Sequence, residues 1–154
     1  MMLTIRALDS SHEHPAEAIF EVLSSVYEYS PWSLEYLKKD LALPYSHYYV
    51  ALDSDKIIGF LAITKLINEI EITNLAVCKA YQRQNIAHRL FALILEQSEE
   101  EMLNDSETTL FLEVRASNVI AQKLYQNLGF EAYHTRKNYY QDPVEDAILM
   151  RKLI

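Results

Sequence analysis

The chain reads as an α+β or mixed α/β protein, a central mixed sheet flanked by about four helices. Three observations predict this. Short segments with period-2 apolar alternation come first, two of them joined by a polar turn as a hairpin. Later segments alternate strand, helix, strand, helix, strand, which places helices against a sheet with some parallel pairing. The chain has 154 residues, half of them hydrophobic, without a repeat, linker or low-complexity stretch, so one domain over 1–154 with a real core is expected.

Leu3 to Leu8 alternates as a first strand, followed by the polar Asp9 to His14. Pro15 to Tyr29 is an amphipathic helix with Ile19, Val22, Leu23 and Val26 on one face. Ser33 is placed to cap a second, short helix running to Leu41. His47 to Leu52, the turn Asp53-Ser54-Asp55-Lys56, and Ile57 to Thr64 form the hairpin, with Tyr45, Tyr48 and Tyr49 alternating in and out. Glu69 to Val77 is a further strand. Ile86 to Leu103 is a long helix with Ile86, Leu90, Leu93 and Ile94 inward and an acidic, solvated run Glu99-Glu100-Glu101 near its end. Leu110 to Val114 is a short apolar strand. Ser117 or Asn118 caps the helix that follows, where Ala121, Leu124, Tyr125 and Leu128 share a face and Gly129 supplies a left-handed stop. Strands over Glu131 to Arg136 and Asp146 to Leu153 close the chain.

Composition narrows the function classes. No apolar run approaches the roughly 18 residues of a membrane span, and Met1 to Ser10 lacks the basic start and apolar core of a signal peptide. A single cysteine, Cys78, rules out an intrachain disulfide framework and suits a reducing cytoplasm. A net charge of −8 argues against binding nucleic-acid backbones and favours cationic substrates. His12 and His14 lack the companion ligands of a metal site, so none is expected. The chain holds 22 acidic residues, yet Ile72 to Leu95 contains none and carries Lys79, Arg83, His88 and Arg89. That window is either a local anion site or a buried strand and helix poor in charge. The second explains the missing acids but not the clustered bases.

Two constellations carry chemistry. In Leu112-Glu113-Val114-Arg115-Ala116-Ser117-Asn118 a buried strand ends near a carboxylate, and the next helix carries Tyr125. One turn separates them, so Glu113 and Tyr125 can reach one cleft as a base and an acid. A tyrosine on an apolar helical face is more often core, and spacing alone leaves both readings open. The second constellation is Gln82-Arg83-Gln84-Asn85-Ile86-Ala87, between a strand and a long helix. Such a junction aims backbone amides and the helix's positive end at an anion.

Together these segments resemble the RimI family of the GNAT superfamily, the acetyl-CoA-dependent N-acetyltransferases. The resemblance rests on L-E-V-R-x-S-N at Leu112 to Asn118, on Ala121, Leu124, Tyr125, Gly129 and Phe130, and on Ser30-Pro31-Trp32. Arg136-Lys137-Asn138-Tyr139-Tyr140 and Glu145-Asp146-Ala147 extend it, so that it spans Ile5 to Lys152. It implies the GNAT (acyl-CoA N-acyltransferase) fold and direct attack of an amine on the thioester of acetyl-CoA, with Glu113 as general base and Tyr125 as general acid at sulfur. Acetyl-CoA contacts are implied at Leu75, Ala76, Val77, Arg83, Gln84, Asn85, Ile86, Ala87, His88 and Asn118. Trp32, Tyr139 and Tyr140 are implied to line the peptide groove. The loop resembles the family's Q/R-x-x-G-x-G/A pattern, but Asn85 stands at the first glycine, which makes CoA affinity the property in question.

The family acetylates the N-terminal alanine of a small-subunit ribosomal protein, so that partner is expected here, with no nucleic acid and no membrane. An α-amine with pKa ~7.7–8.0 is roughly a tenth neutral at pH 7, against less than about a thousandth for a lysine at ~10.4, so one carboxylate base serves a peptide N-terminus more readily. Two alternatives stand beside this. One is a GNAT enzyme for a small amine or lysine, and the other a non-catalytic CoA-binding regulator whose support is Asn85.

Overall fold

The strand-like runs assemble into a seven-stranded sheet in the order β1-β2-β3-β4-β5-β7-β6. The computed structural model describes residues 2–101 and 108–154. The first four strands are β1 (Leu3–Ala7), β2 (Ser46–Asp53), β3 (Lys56–Leu66) and β4 (Glu69–Val77), all antiparallel neighbours. β5 (Thr109–Arg115) joins β4 in parallel, and β7 (Glu145–Leu153) lies antiparallel between β5 and β6 (Glu131–Tyr140). The sheet is therefore mixed, as expected.

Four helices cover it unevenly. α1 (Pro15–Val26) and α2 (Leu34–Leu41) lie over one face, where Ile19, Leu23 and Leu37 meet Val50, Phe60 and Ala76. α3 (Ile86–Glu101) covers the other face, with α4 (Val119–Asn127) packed against the same cluster through Ala121 and Tyr125. Ser33 caps α2 by accepting from Tyr36 N–H at 3.1 Å. α1 stops three residues short of the expected Tyr29: beyond Val26 the residues Glu28 and Tyr29 are exposed, so further helix would bury nothing, and Tyr27 is extended. On α3, Phe91 is buried beside Ile86, Leu90 and Ile94, while Leu93 is only partly covered. The expected end of that helix at Leu103, and the side chains of Glu99–Glu101, lie outside the described residues.

Tyr48 and Tyr49 do point to opposite faces, but both are buried, because helices cover both sides of β2. Each phenol finds a partner, as a buried hydroxyl requires. Tyr48 donates to Asp40 of α2, which also accepts from Ser46 Oγ at 3.0 Å, and Tyr49 donates to Gln97 of α3 at 2.9 Å. α1 and α2 pack mainly on β2, β3 and β4, and among the described residues that face of β5, β6 and β7 is left open beside the site. Among the described residues no helix is long and apolar enough to cross a membrane.

Candidate active site

The site begins where two parallel strands part. β4 and β5 pair only from Glu69↔Thr109 to Glu71↔Phe111, although both strands continue to Val77 and Arg115. Two residues on, Ala62 pairs with Asn74 and Ile63 with Ile72, leaving Thr73 as a bulge whose Oγ1 donates to Ala62 O at 3.1 Å. A bulge bends its strand and increases its twist, so β4 turns away from β5 just past the last pair. Cys78 N–H donates to Ile58 O at 2.8 Å. By the alternation of a strand, the amides of Leu75 and Val77 therefore point the other way, into the gap. Ala76 directs its methyl into the core under α1.

A cleft of about 540 Å³ occupies the mouth of this gap. Strand alternation sends Leu110, Leu112 and Val114 into the core and Glu113 to the opposite face. Glu113 is partly exposed, with Arg136 Nη1 at 3.9 Å. The Tyr139 phenol is raised above its ordinary pKa, first by its hydrogen bond to Glu113 and then by that carboxylate's charge. Tyr125 reaches the cleft from α4. Asn118, not Ser117, caps this helix by accepting from Ala121 N–H at 3.1 Å. At the other end Gly129 N–H bonds Gln126 O and Phe130 N–H bonds Tyr125 O, each at 2.9 Å, with Gly129 at φ +96°. This is a Schellman motif, and its usual apolar contact is Tyr125 against Phe130, ring centroids 5.8 Å apart.

The tyrosine's ring is thus core, as an apolar helical face implies, while its hydroxyl is not spent there. No hydrogen bond to it is formed among the described residues, where no fully buried side-chain polar atom is left unpaired, so the hydroxyl opens to the cleft that Glu113 also lines. Burial pushes the phenol's pKa well up, with smaller contributions from Tyr27 and Tyr140. It is protonated throughout the neutral range.

The remaining motif residues explain themselves as supports. Arg115 Nη1 lies 3.3 Å from Glu145, and its guanidinium sits 4.3 Å from the Tyr140 ring centroid. Glu145 also accepts from Ser117 N–H at 2.5 Å. Asp146 accepts from Asn138 N–H at 2.9 Å, where Asn138 takes φ +53°, and pairs with Lys137 at 3.3 Å. These bonds fix the end of β6 so that Tyr139 and Tyr140 overhang Glu113. Burial and Glu113 push the Tyr140 phenol up to about 12. Trp32 faces them across the cleft from the α1–α2 loop, 4.9 Å from Tyr36 between ring centroids.

A second cavity of about 380 Å³ lies at the start of α3. Asn85 takes φ +59° and Arg83 φ +67°, so the loop adopts the left-handed geometry expected of a glycine position, twice. The first-turn amides of Ile86, Ala87 and His88 have no partner within the helix. Arg83 and His88 line the cavity, and no acid stands in the first turn. This donor set fits a diphosphate. Gln84 does not line the cavity. Asn118 borders the larger cleft instead, its side chain engaged in capping.

Further residues complete the lining, of which Gln82 and Leu124 belong to the sequence motifs and Tyr81, Ile120, Tyr27, Tyr36 and Glu71 carried no sequence signal for the site. Gln82 Nε2 donates to Val77 O at 2.9 Å and Tyr81 O–H to Asp53 at 2.5 Å, bracing the loop from behind. Ile120 and Leu124 close the second cavity, and Tyr27, Tyr36 and Glu71 border the first. Glu71 shares a strand face with Glu69, and the parting of β4 from β5 just beyond it places it at the cleft. Among the described residues no group of three or more His, Cys, Asp or Glu is placed to hold a metal ion.

Comparison with known proteins agrees with this geometry. The pattern describing the acetyltransferase (GNAT) family matches residues 16–130. The chain therefore belongs to the GNAT family of acetyltransferases, enzymes that acetylate amines from acetyl-CoA. Within the family it is RimI-like. It is 35% identical over 141 residues to the ribosomal protein bS18-alanine N-acetyltransferase of Haemophilus ducreyi, covering 90% of this chain and 93% of that one. Against the enzyme of that name from Escherichia coli K12 it is 32% identical over 151 residues, 97% of this chain and 96% of the relative. The crystal structure of the Escherichia coli ribosomal-protein-S18-alanine N-acetyltransferase superposes with a TM-score of 0.85 at 30% identity, covering 99% of this chain and 94% of that one.

Proposed function

We propose that the protein acetylates the N-terminal α-amine of a protein, and that its substrate is the N-terminal alanine of a small-subunit ribosomal protein. Such a substrate places the enzyme in the cytoplasm, where a lone Cys78 stays reduced. The observation that carries this reading is that Glu113 and an unpartnered Tyr125 hydroxyl line one cleft, at the mouth of the β4–β5 gap. The choice of substrate is supported by relatives, similar over nearly the whole chain, that are ribosomal protein bS18-alanine N-acetyltransferases.

The residues divide the work as follows. Arg83, Asn85 and the amides of Ile86, Ala87 and His88 hold the CoA diphosphate, through the helix's positive end and the Arg83 guanidinium. The amides of Leu75 and Val77 are open to an acceptor in the gap and polarise the acetyl carbonyl. Acetyl-CoA supplies the electrophilic carbonyl and a thiolate leaving group. The peptide enters between Trp32 and the Tyr139–Tyr140 pair. Glu113 takes the ammonium's proton, directly or through one water, and Tyr125 returns a proton at the departing sulfur. Assistance of this kind is worth ~10²–10⁴ in rate. A regulator without catalysis would have no use for a protonated, unpartnered phenol at this point.

The test is acetyl transfer to peptides differing only in their first residue, with a lysine peptide and polyamines alongside. Preference for alanine-first peptides is the expected result. Turnover of polyamines or lysine in preference to every α-amine overturns the substrate, and acetyl-CoA binding without any turnover overturns the enzyme.

A further inference from the structure

The cleft contains one more carboxylate than this chemistry uses. Glu71 ends the paired stretch of β4 directly opposite Phe111, and Glu113 lies two residues along β5 from Phe111 on the same face. Both carboxylates line the main cleft and also a smaller hollow of about 250 Å³ beneath Tyr133 and Arg136. Their situations differ. Glu113 has Arg136 Nη1 at 3.9 Å and the Tyr139 phenol beside it. Glu71 has no ion-pair partner among the described residues. Glu113 acts on it electrostatically and it acts in turn on Tyr36 and Tyr139; among the described residues the one cation lining the same hollow, Arg136, is paired with Glu113. Partial desolvation and then the Glu113 charge raise its pKa, the direction of a carboxylate held where negative charge is unwelcome.

A carboxylate without a cation, beside a second carboxylate in the mouth of an amine-acetylating site, is relieved only when a cation arrives. The geometry points to Glu71 as a substrate-binding residue that holds the incoming ammonium beside Glu113 until its proton passes to Glu113. No bond is made or broken at Glu71. It supplies a charge-assisted hydrogen bond to N–H, a contact kept as the amine attacks, because nitrogen again gains positive charge on bonding to the acetyl carbon. This rests on an amine as substrate and on Glu113 as base, but not on which amine is used.

The experiment compares wild type with Glu71→Gln and Glu71→Asp, using the best peptide substrate at pH 7. Glu71→Gln keeps the side chain's shape and removes the like-charge repulsion, so the fold is kept and the melting temperature does not fall. Its KM for peptide should rise by about tenfold or more while kcat stays within about threefold, because the lost contact is shared by the bound ground state and the transition state. Glu71→Asp should recover part of the KM. Calorimetry with the same peptide, free and N-terminally acetylated, provides a readout without turnover: wild type should prefer the free ammonium and Glu71→Gln should lose that preference. An unchanged KM with undiminished ammonium preference overturns the inference. So does a collapse of kcat as deep as that of Glu113→Gln, which would make Glu71 the proton acceptor. If Glu113→Gln proves fully active, the base assignment fails on its own, and the free-versus-acetylated comparison still judges Glu71.

Discussion

Tyr125→Phe separates the two duties of one side chain. The ring packs against Phe130 within the Schellman contact, which phenylalanine retains. The hydroxyl opens to the cleft and makes no hydrogen bond among the described residues, so its removal orphans no buried group and forfeits no internal hydrogen bond, each worth about 1 kcal/mol. The stability change should therefore stay below about 1 kcal/mol, or ~2–4 °C in melting temperature for a chain of this size. If the hydroxyl is the acid at sulfur, its loss should lower kcat by ~10²–10⁴, equivalent to ~2.7–5.4 kcal/mol of barrier. The assay is CoA release at saturating peptide and acetyl-CoA, paired with urea unfolding of the same preparations. A second signature comes from alkali. A phenol with a raised folded-state pKa is protonated in the folded chain when its unfolded counterpart ionises, so it withdraws ~1.4 kcal/mol of stability per pH unit above about pH 10. The variant should lose stability less steeply there. Full activity per folded molecule, with a collapsed melting temperature, would refute the reasoning and leave Tyr125 as core alone.

Three further outcomes are expected. Glu113→Gln should abolish most activity at pH 7 and recover as pH rises, because more amine then arrives neutral; a pH–rate profile parallel to wild type would remove Glu113 from proton transfer. Asn85→Gly should be tolerated and bind acetyl-CoA at least as tightly, while Asn85→Val at φ +59° should cost ~1–2 kcal/mol of loop geometry and weaken binding about tenfold, checked by calorimetry. Gly129→Ala should destabilise by ~1–2 kcal/mol in urea unfolding, since φ +96° is unfavourable for any Cβ and this one would also run into the Lys152 ammonium, which donates to Leu128 O at 2.8 Å; an unchanged midpoint would argue against a left-handed stop there.

Local chemistry determined much of this protein before any tertiary contact formed. Ser33 capping α2, the exact span Glu69–Val77, the stop at Gly129 and left-handed geometry at Asn85 follow from backbone preferences that a few neighbouring residues decide. So does the placement of Glu113 at the exit of an apolar strand. What local pattern could not decide was which alternating face meets water and which meets another element. Tyr48 and Tyr49 looked like one inward and one outward residue, yet helices on both sides bury both. Glu71 has no local feature that sets it apart from Glu69 on the same strand. It borders the cleft because Thr73 bulges, β4 turns off, and the pairing with β5 ends at that very residue. The free hydroxyl of Tyr125 is likewise invisible in spacing, since the same ring serves core and cleft at once. Periodicity reports that a face is buried or exposed, a property of one segment. A site is made where two segments separated by some 40 residues come together and then diverge, and only the closed sheet sets that distance.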